Sequence, residues 1–165
     1  MRTIKALFIS ITLLLVAAGS VSSVQAAAVH AVKQLKVLQS KKKYKYFQFY
    51  GGSYGAVVGE VSLNGVVMQK LDGGQSQTSD NRAQKILHQG ENVIRIHIEK
   101  FVGPGPQEFE YAILAVAANE SGNPFDSDHV VDLQDDLSHV SPLPATIEYR
   151  FDLKGPAFTV LKAKH

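Results

Sequence analysis

Cysteine is absent from the 165-residue sequence. Its absence excludes disulfide bonds, thiolate metal sites, cysteine nucleophiles and lipidation of an N-terminal cysteine. A chain without disulfides must be stabilised by its hydrophobic core alone. The sequence is rich enough in Val, Ile, Leu and Phe, and long enough, to bury one.

Long apolar runs are absent except at the N-terminus. Arg2 and Lys5 precede the apolar run 6–19, and a short segment of small and polar residues then ends at Ala26. This order is typical of a secretory signal peptide, cleaved after Ala26 or, nearly as well, after Ala28. The apolar run of 14 residues is shorter than the roughly 20 that a membrane-spanning helix needs.

We therefore predict that residues 1–26 are a signal peptide and that 27–165 form a single domain. The mature protein is then secreted or periplasmic, with no membrane span.

Net charge is small in the predicted mature chain. The sequence has 17 Lys and Arg and 15 Asp and Glu, and removing the two basic residues of the leader leaves 15 of each. This balance gives no support for nucleic acid as a partner. Residues 27–100 hold 11 basic and 5 acidic residues and 101–165 hold 4 and 10, a difference of +6 against −6. We favour pairing between complementary parts of one domain over a surface with a basic and an acidic side.

Period-2 alternation predicts that the chain consists mainly of β-strands. In the clearest segment, 91–100, isoleucines alternate with Arg95, His97 and Glu99, so the two sets lie on opposite faces. The segment 29–38 fits a strand or a helix, and we favour a strand. Further strands are predicted at 41–50, 57–63, 66–68, 108–118, 146–153 and 157–163.

Gly, Pro and polar residues mark the connections. Asn64-Gly65 supplies the positive φ angles of a tight hairpin turn. Further turns and loops are predicted at 51–55, 72–82, 101–107 and 119–145. The last of these contains either a short strand at 129–133 or a helical turn at 133–140. Seven or eight strands without a long amphipathic helix predict an all-β fold: a single antiparallel β-sandwich, with a small barrel as the alternative.

Two motifs, V-x-L-N-G and L-x-x-G-E-N-x-I-x-I-x-I, occur within residues 59–100. Their residues are Val61, Leu63, Asn64 and Gly65, then Leu87, Gly90, Glu91, Asn92, Ile94, Ile96 and Ile98. This hairpin resembles one in galactose-binding-like jelly-roll β-sandwiches, which include non-catalytic domains attached to many bacterial glycoside hydrolases. The resemblance implies a jelly-roll-like sandwich and slightly favours a carbohydrate ligand. It is a strand–turn pattern and assigns no binding residue.

Three tyrosines are the most suggestive surface candidate for ligand binding. Tyr44, Tyr46 and Tyr50 fall on one side of a predicted strand. Exposed, their flat rings would stack on sugar rings or on a protein partner. The alternative, which we favour, is that this face packs into the core and leaves Phe47 and Phe49 outside.

A second candidate for ligand binding is the set Arg95, His97 and Glu99, which is able to bind a polar ligand. More often such a set forms the solvated face of a sheet. Zinc has no support, because the six histidines show neither HExxH nor a paired short spacing.

Acidic residues crowd the segment 119–145. Asp126, Asp128 and Asp132 are candidate ligands for Ca²⁺, which binds about six to eight hard oxygen atoms. The segment lacks the glycine and the closing glutamate of an EF-hand, so a solvated acidic loop is the alternative. No other cofactor is predicted.

The segment Gly51–Gly55 matches G-x-S-x-G, the nucleophile elbow of α/β-hydrolases. That motif needs a helix after the serine, whereas a strand is predicted to follow Ser53. A glycine-rich turn is therefore the favoured interpretation.

These patterns predict a secreted or periplasmic, non-catalytic binding or interaction module whose partner is a carbohydrate or another envelope protein. The alternative is a structural or assembly protein of the cell envelope that acts through sheet-edge pairing. A small hydrolase ranks last, because no acid–base group converges in the sequence.

Overall fold

The computed structural model describes residues 29–38, 44–117 and 127–154. Within these ranges no helix is long and apolar enough to cross a membrane. The elements are β1 (Val29–Gln34), β2 (Tyr44–Tyr54), β3 (Val57–Leu63), β4 (Val66–Asp72), β5 (Gln75–Asp80), α1 (Ala83–Ile86), β6 (Gly90–Phe101), β7 (Glu108–Ala117), β8 (Asp128–Asp136) and β9 (Ala145–Leu153). The predicted leader and the strand predicted at 157–163 lie outside the described residues.

The strands form two sheets that pack face to face. The five-stranded sheet has the order β1-β9-β6-β3-β4, and the four-stranded sheet has the order β5-β2-β7-β8. The predicted all-β sandwich is confirmed, with nine described strands instead of seven or eight. One pair is not antiparallel as predicted, because β1 runs parallel to β9. After β1 the chain crosses between the sheets, where Leu35 N–H donates to Arg150 O and Leu38 N–H donates to Val130 O.

Alternation along the strands fills the space between the sheets. Ile94, Ile96 and Ile98 of β6 are fully buried, as the period-2 pattern predicts. The same core holds the aromatic side chains of β2 and β7, where the rings of Phe49 and Tyr111 stack with centroids 5.2 Å apart. Burying side chains of this kind stabilises the fold by about 1.5–3 kcal/mol each. This burial accounts for the stability of a fold that has no disulfides.

The two asparagines of the hairpin motif link the β3–β4 turn to β6. Asn64 (φ +48°) and Gly65 (φ +83°) have the left-handed conformations that the turn requires, as predicted. Asn64 Nδ2 donates to Asn92 Oδ1 at 2.8 Å, and Asn64 Oδ1 accepts the Val93 backbone N–H at 2.8 Å. Asn92 is fully buried and donates to two backbone carbonyls just before it. These motif residues are therefore structural.

Two predicted connections are strands in the structure. β2 continues to Tyr54, so the turn predicted at 51–55 is wrong for most of its length. Gly51 permits this, because its φ is +137° and a Cβ there would lie 2.1 Å from Glu110 O. The exposed loop predicted at 72–82 contains β5, which pairs with β2. Hydrophobic alternation could not reveal β5, because all six of its residues are polar.

Two segments for which the sequence allows a strand or a helix contain strands in the structure. The segment 29–38 is a strand as far as Gln34, which confirms the favoured interpretation. β8 confirms the strand predicted at 129–133 and extends it at both ends. The helical turn predicted as its alternative is reduced to one bond, from Val140 N–H to Leu137 O.

Candidate functional site

The outer face of the four-stranded sheet carries an open depression. Alternation along β2 places Phe47 and Phe49 in the core, while Tyr50, Gly52 and Tyr54 lie on the outer face. The space of about 260 Å³ above them is called the tyrosine depression here, and the residues that line it include Tyr50, Gly52, Tyr54, Gln77, Glu110, Ala112 and His129.

Small residues form the floor of the tyrosine depression. Gly52 is paired with Glu110 of β7 and with Gln77 of β5, and Ala112 of β7 is paired with Tyr50. Paired residues of neighbouring strands project on the same face. The missing side chain of Gly52 and the single methyl group of Ala112 therefore leave a gap between larger neighbours.

The walls of the tyrosine depression are aromatic and polar. Tyr54 is 41% exposed, and its hydroxyl donates to Glu110 Oε2 at 3.2 Å. This hydrogen bond and the negative charge of Glu110 raise the pKa of Tyr54 above its ordinary value. On the β8 side, His129 Nδ1 lies 2.7 Å from Asp132 Oδ1. An exposed ring beside these groups can combine stacking with hydrogen bonds to a polar ligand.

The same face carries acidic side chains. Glu108 and Glu110 project from β7, and Asp132 and Asp136 project from β8 beside it. None of the described side chains that the four strands place on this face is Lys or Arg. The outer face of the five-stranded sheet differs, because it interleaves acids and bases that form ion pairs. The charge asymmetry of the sequence is therefore in part a difference between the two faces, since the acidic half of the chain supplies β7 and β8.

The three tyrosines predicted to share a face are separated in the structure. A register irregularity after Tyr44 turns this residue inward, where it is 3% exposed and donates its hydroxyl to Asp128 Oδ2 at 2.9 Å. Tyr46 and Tyr50 are half-buried on the outer face, so the interpretation that their face forms the core is wrong. Tyr54 was missed because a turn was predicted there, although it continues the period-2 spacing of Tyr46 and Tyr50.

The second candidate set lies on the outer face of the five-stranded sheet, but its members are not gathered into one site. Arg95 Nη2 donates to Glu148 Oε1 at 2.5 Å, and His97 Nδ1 lies 3.0 Å from Thr146 Oγ1. Glu99 is exposed and lines a separate shallow groove. Each side chain therefore has its own surroundings, as on an ordinary solvated sheet face.

Glu148 is a charged residue of this face that the sequence pattern did not single out. It is 4% exposed, and Arg95 and Arg150 each contact it through two nitrogen atoms. Hydrogen bonds from Arg95 and then Arg150 hold the pKa of Glu148 below its usual range. A buried carboxylate between two guanidinium groups is already satisfied, so its role is structural.

The predicted calcium ligands are not brought together in the described part of the chain. Asp126 lies outside it. Asp128 accepts the Tyr44 hydroxyl, whereas Asp132 contacts His129, so the two carboxylates have different partners. Among the described residues, no three His, Asp or Glu side chains are placed to hold a metal ion.

Ser53 lies inside β2 and is 1% exposed. Its hydroxyl donates to the Gly55 carbonyl oxygen at 3.3 Å. The strand β3 follows, so the segment lacks the strand–turn–helix geometry of a nucleophile elbow.

Comparison with protein-family models, with curated proteins and with solved structures finds no match to this chain. The resemblance to galactose-binding-like sandwiches therefore stays a prediction.

Proposed function

We propose that this protein is a non-catalytic binding module that holds a glycan in the tyrosine depression. The observation that carries the proposal is the pair of outward rings, Tyr50 and Tyr54, beside a floor of Gly52 and Ala112. Sugar rings have flat C–H faces against which aromatic rings stack, while carboxylate and amide groups bond to the hydroxyls. Glu110 supplies such a carboxylate at the wall.

The volume of the tyrosine depression limits how many sugar rings it can contact. Its volume is about 260 Å³, below the roughly 300–1,000 Å³ of pockets that enclose a drug-sized ligand. The site would therefore contact one or two rings of a longer chain that continues along the sheet. Such a surface favours recognition of a polymer over capture of a free monosaccharide.

A glycan ligand agrees with the predicted export of the chain. The leader pattern at 1–26 would deliver the domain to a compartment where polysaccharides occur. N-terminal sequencing of the protein recovered from the producing cells tests this part of the proposal. We expect a start at Ala27, or at Val29 for the alternative cleavage site, and an intact leader on cytoplasmic protein would contradict it.

A glycan array followed by titration calorimetry tests the site. We expect binding to at least one oligosaccharide and a loss of roughly tenfold for Tyr54→Ala, since stacking contributes about 0.5–1.5 kcal/mol beyond burial. Tyr46→Ala is the matched control, because Tyr46 lies on the same strand and face but does not line the depression. Failure of every glycan, or an equal loss in both folded variants, would contradict the proposal.

A second candidate function, assembly through sheet-edge pairing, is favoured by β5. This strand ends its sheet and pairs with β2 alone among the described residues. Edge strands are usually protected by lysine, proline or a bulge, and Gln75–Asp80 has none of these. Sedimentation equilibrium tests pairing between copies of the chain: a dimer that Gln75→Lys dissociates supports it, and a monomer at all concentrations contradicts it.

A further inference from the structure

We propose that the tyrosine depression selects saccharides with free, positively charged amino groups, the chemistry of a de-N-acetylated amino-sugar polymer. This inference deepens the proposed function and rests on it. It follows from the signs of the charges on the outer face of the four-stranded sheet, taken together with the two tyrosine rings.

The acidic groups are close enough to act on one ligand. Glu108 and Glu110 are two residues apart on β7, which places them about 7 Å apart at roughly 3.4 Å per residue. On the neighbouring strand, Asp136 is paired with Glu108 at about 5 Å. Asp132 and Asp136 are each two residues from Gln134, the partner of Glu110, which places both about 7–8 Å from Glu110. The other three carboxylates therefore lie within the screening length of about 10 Å at 0.1 M salt from Glu110, although Asp132 and Asp136 are about 14 Å from each other, so their negative fields add at Glu110.

None of the described side chains of this face is a lysine or an arginine that would neutralise that field. His129 of β8 lies on this face in contact with Asp132. A uronic or other acidic saccharide would be repelled. A neutral saccharide would gain nothing from the carboxylates beyond ordinary hydrogen bonds. An ammonium group would be attracted by each of these carboxylates.

The aromatic residues add a second preference for a cation. The faces of tyrosine rings attract ammonium groups within about 6 Å. The Tyr54 hydroxyl donates to Glu110, which fixes the carboxylate beside the exposed ring. A sugar with a free amine presents a C–H face to the ring and an ammonium to the carboxylate at once. A lysine side chain of a protein partner presents the ammonium without the flat ring, so the geometry favours the saccharide.

Titration calorimetry of the mature protein tests the proposal with four probes: oligomers of glucosamine, of N-acetylglucosamine and of galacturonate at equal length, and oligolysine. We expect glucosamine oligomers to bind about tenfold more tightly than the acetylated ones, the scale of one charge-assisted hydrogen bond. Glu110→Gln should remove most of this preference and its salt dependence. Glu99→Gln, on the other sheet, is the matched control and should leave both unchanged.

The outcomes separate this inference from the proposed function. Equal or tighter binding of the N-acetylglucosamine or galacturonate oligomers overturns the selection for amines and leaves a glycan module. Oligolysine binding as tightly as glucosamine oligomers overturns the saccharide class. Binding of no saccharide overturns both proposals. Retention of the full preference in Glu110→Gln overturns the assignment to the tyrosine depression.

Discussion

The buried Asn92 side chain is expected to be one of the largest polar contributions to the stability of the sandwich. It donates to the carbonyl oxygens of His88 and Gly90, and it accepts the side-chain amide of Asn64 and the His88 backbone N–H. Asn92→Ala removes all four hydrogen bonds. The four groups that lose these hydrogen bonds surround the Asn92 side chain, which is 0% exposed.

The expected loss follows from the number of groups left without a partner. A buried polar group that loses its hydrogen bond costs about 1–3 kcal/mol, and the lower end applies to partners that can reach water. His88 and Gly90 lie near the surface, so a sum of about 3–4 kcal/mol is expected. For a domain of this length, that lowers Tm by about 10 °C.

Urea unfolding followed by far-UV circular dichroism measures this loss, since the chain has no tryptophan to report by fluorescence. Gln89→Ala, an exposed neighbour, is the control and should stay within about 0.5 kcal/mol of the wild type. Asn64→Gly keeps the positive φ of the turn and removes the hydrogen bond between Asn64 and Asn92. The double variant should therefore lose less free energy of unfolding than the sum of the losses in the two single variants. A loss below about 1 kcal/mol for Asn92→Ala would refute this account of the hairpin.

Two further predictions concern the sheets themselves. Gly52→Ala should detach β5 from β2, because the new Cβ would lie 2.1 Å from Ser76 O; hydrogen exchange at the β5 amides should quicken. Gly74→Ala, whose Cβ would come no nearer than 3.5 Å to any other atom, should leave exchange unchanged. The pKa of Glu148 is lowered by hydrogen bonds from Arg95 and a second arginine, so its contribution to stability is present above the unfolded carboxyl pKa and is lost as pH falls through the lower folded value. Glu148→Gln should therefore flatten the acid limb of the unfolding free energy, and superimposable pH profiles of the two proteins would contradict this.

The sequence was most informative where a strand has one buried face. The alternation of Ile94, Ile96 and Ile98 with polar residues identified β6 and its orientation correctly. The Asn64-Gly65 turn was also predicted correctly, because few residue pairs tolerate two successive positive φ angles. Both signals are local: each depends on a residue and its immediate neighbours along the chain.

Only part of the candidate site could be predicted from the sequence. The tyrosines of β2 were recognised as a surface candidate, but a register irregularity moved Tyr44 into the core and extended pairing brought Tyr54 onto the outer face. Period-2 alternation predicts neither the register irregularity nor the extended pairing. The floor of Gly52 and Ala112, and the carboxylate of Glu110, come from pairing with β7, more than 50 residues away along the chain.

What the sequence determined by itself was the class of the fold, the faces of its apolar strands and its tightest turn, because these follow from short-range periodicity and backbone sterics. The tertiary structure alone decided that the polar segment β5 is a strand, that β1 runs parallel to β9, and that Glu148 lies between two arginines. Each of these depends on which strands become neighbours and in what register. Cross-strand partners are chosen by the packing of the whole sandwich, and no local pattern encodes that choice.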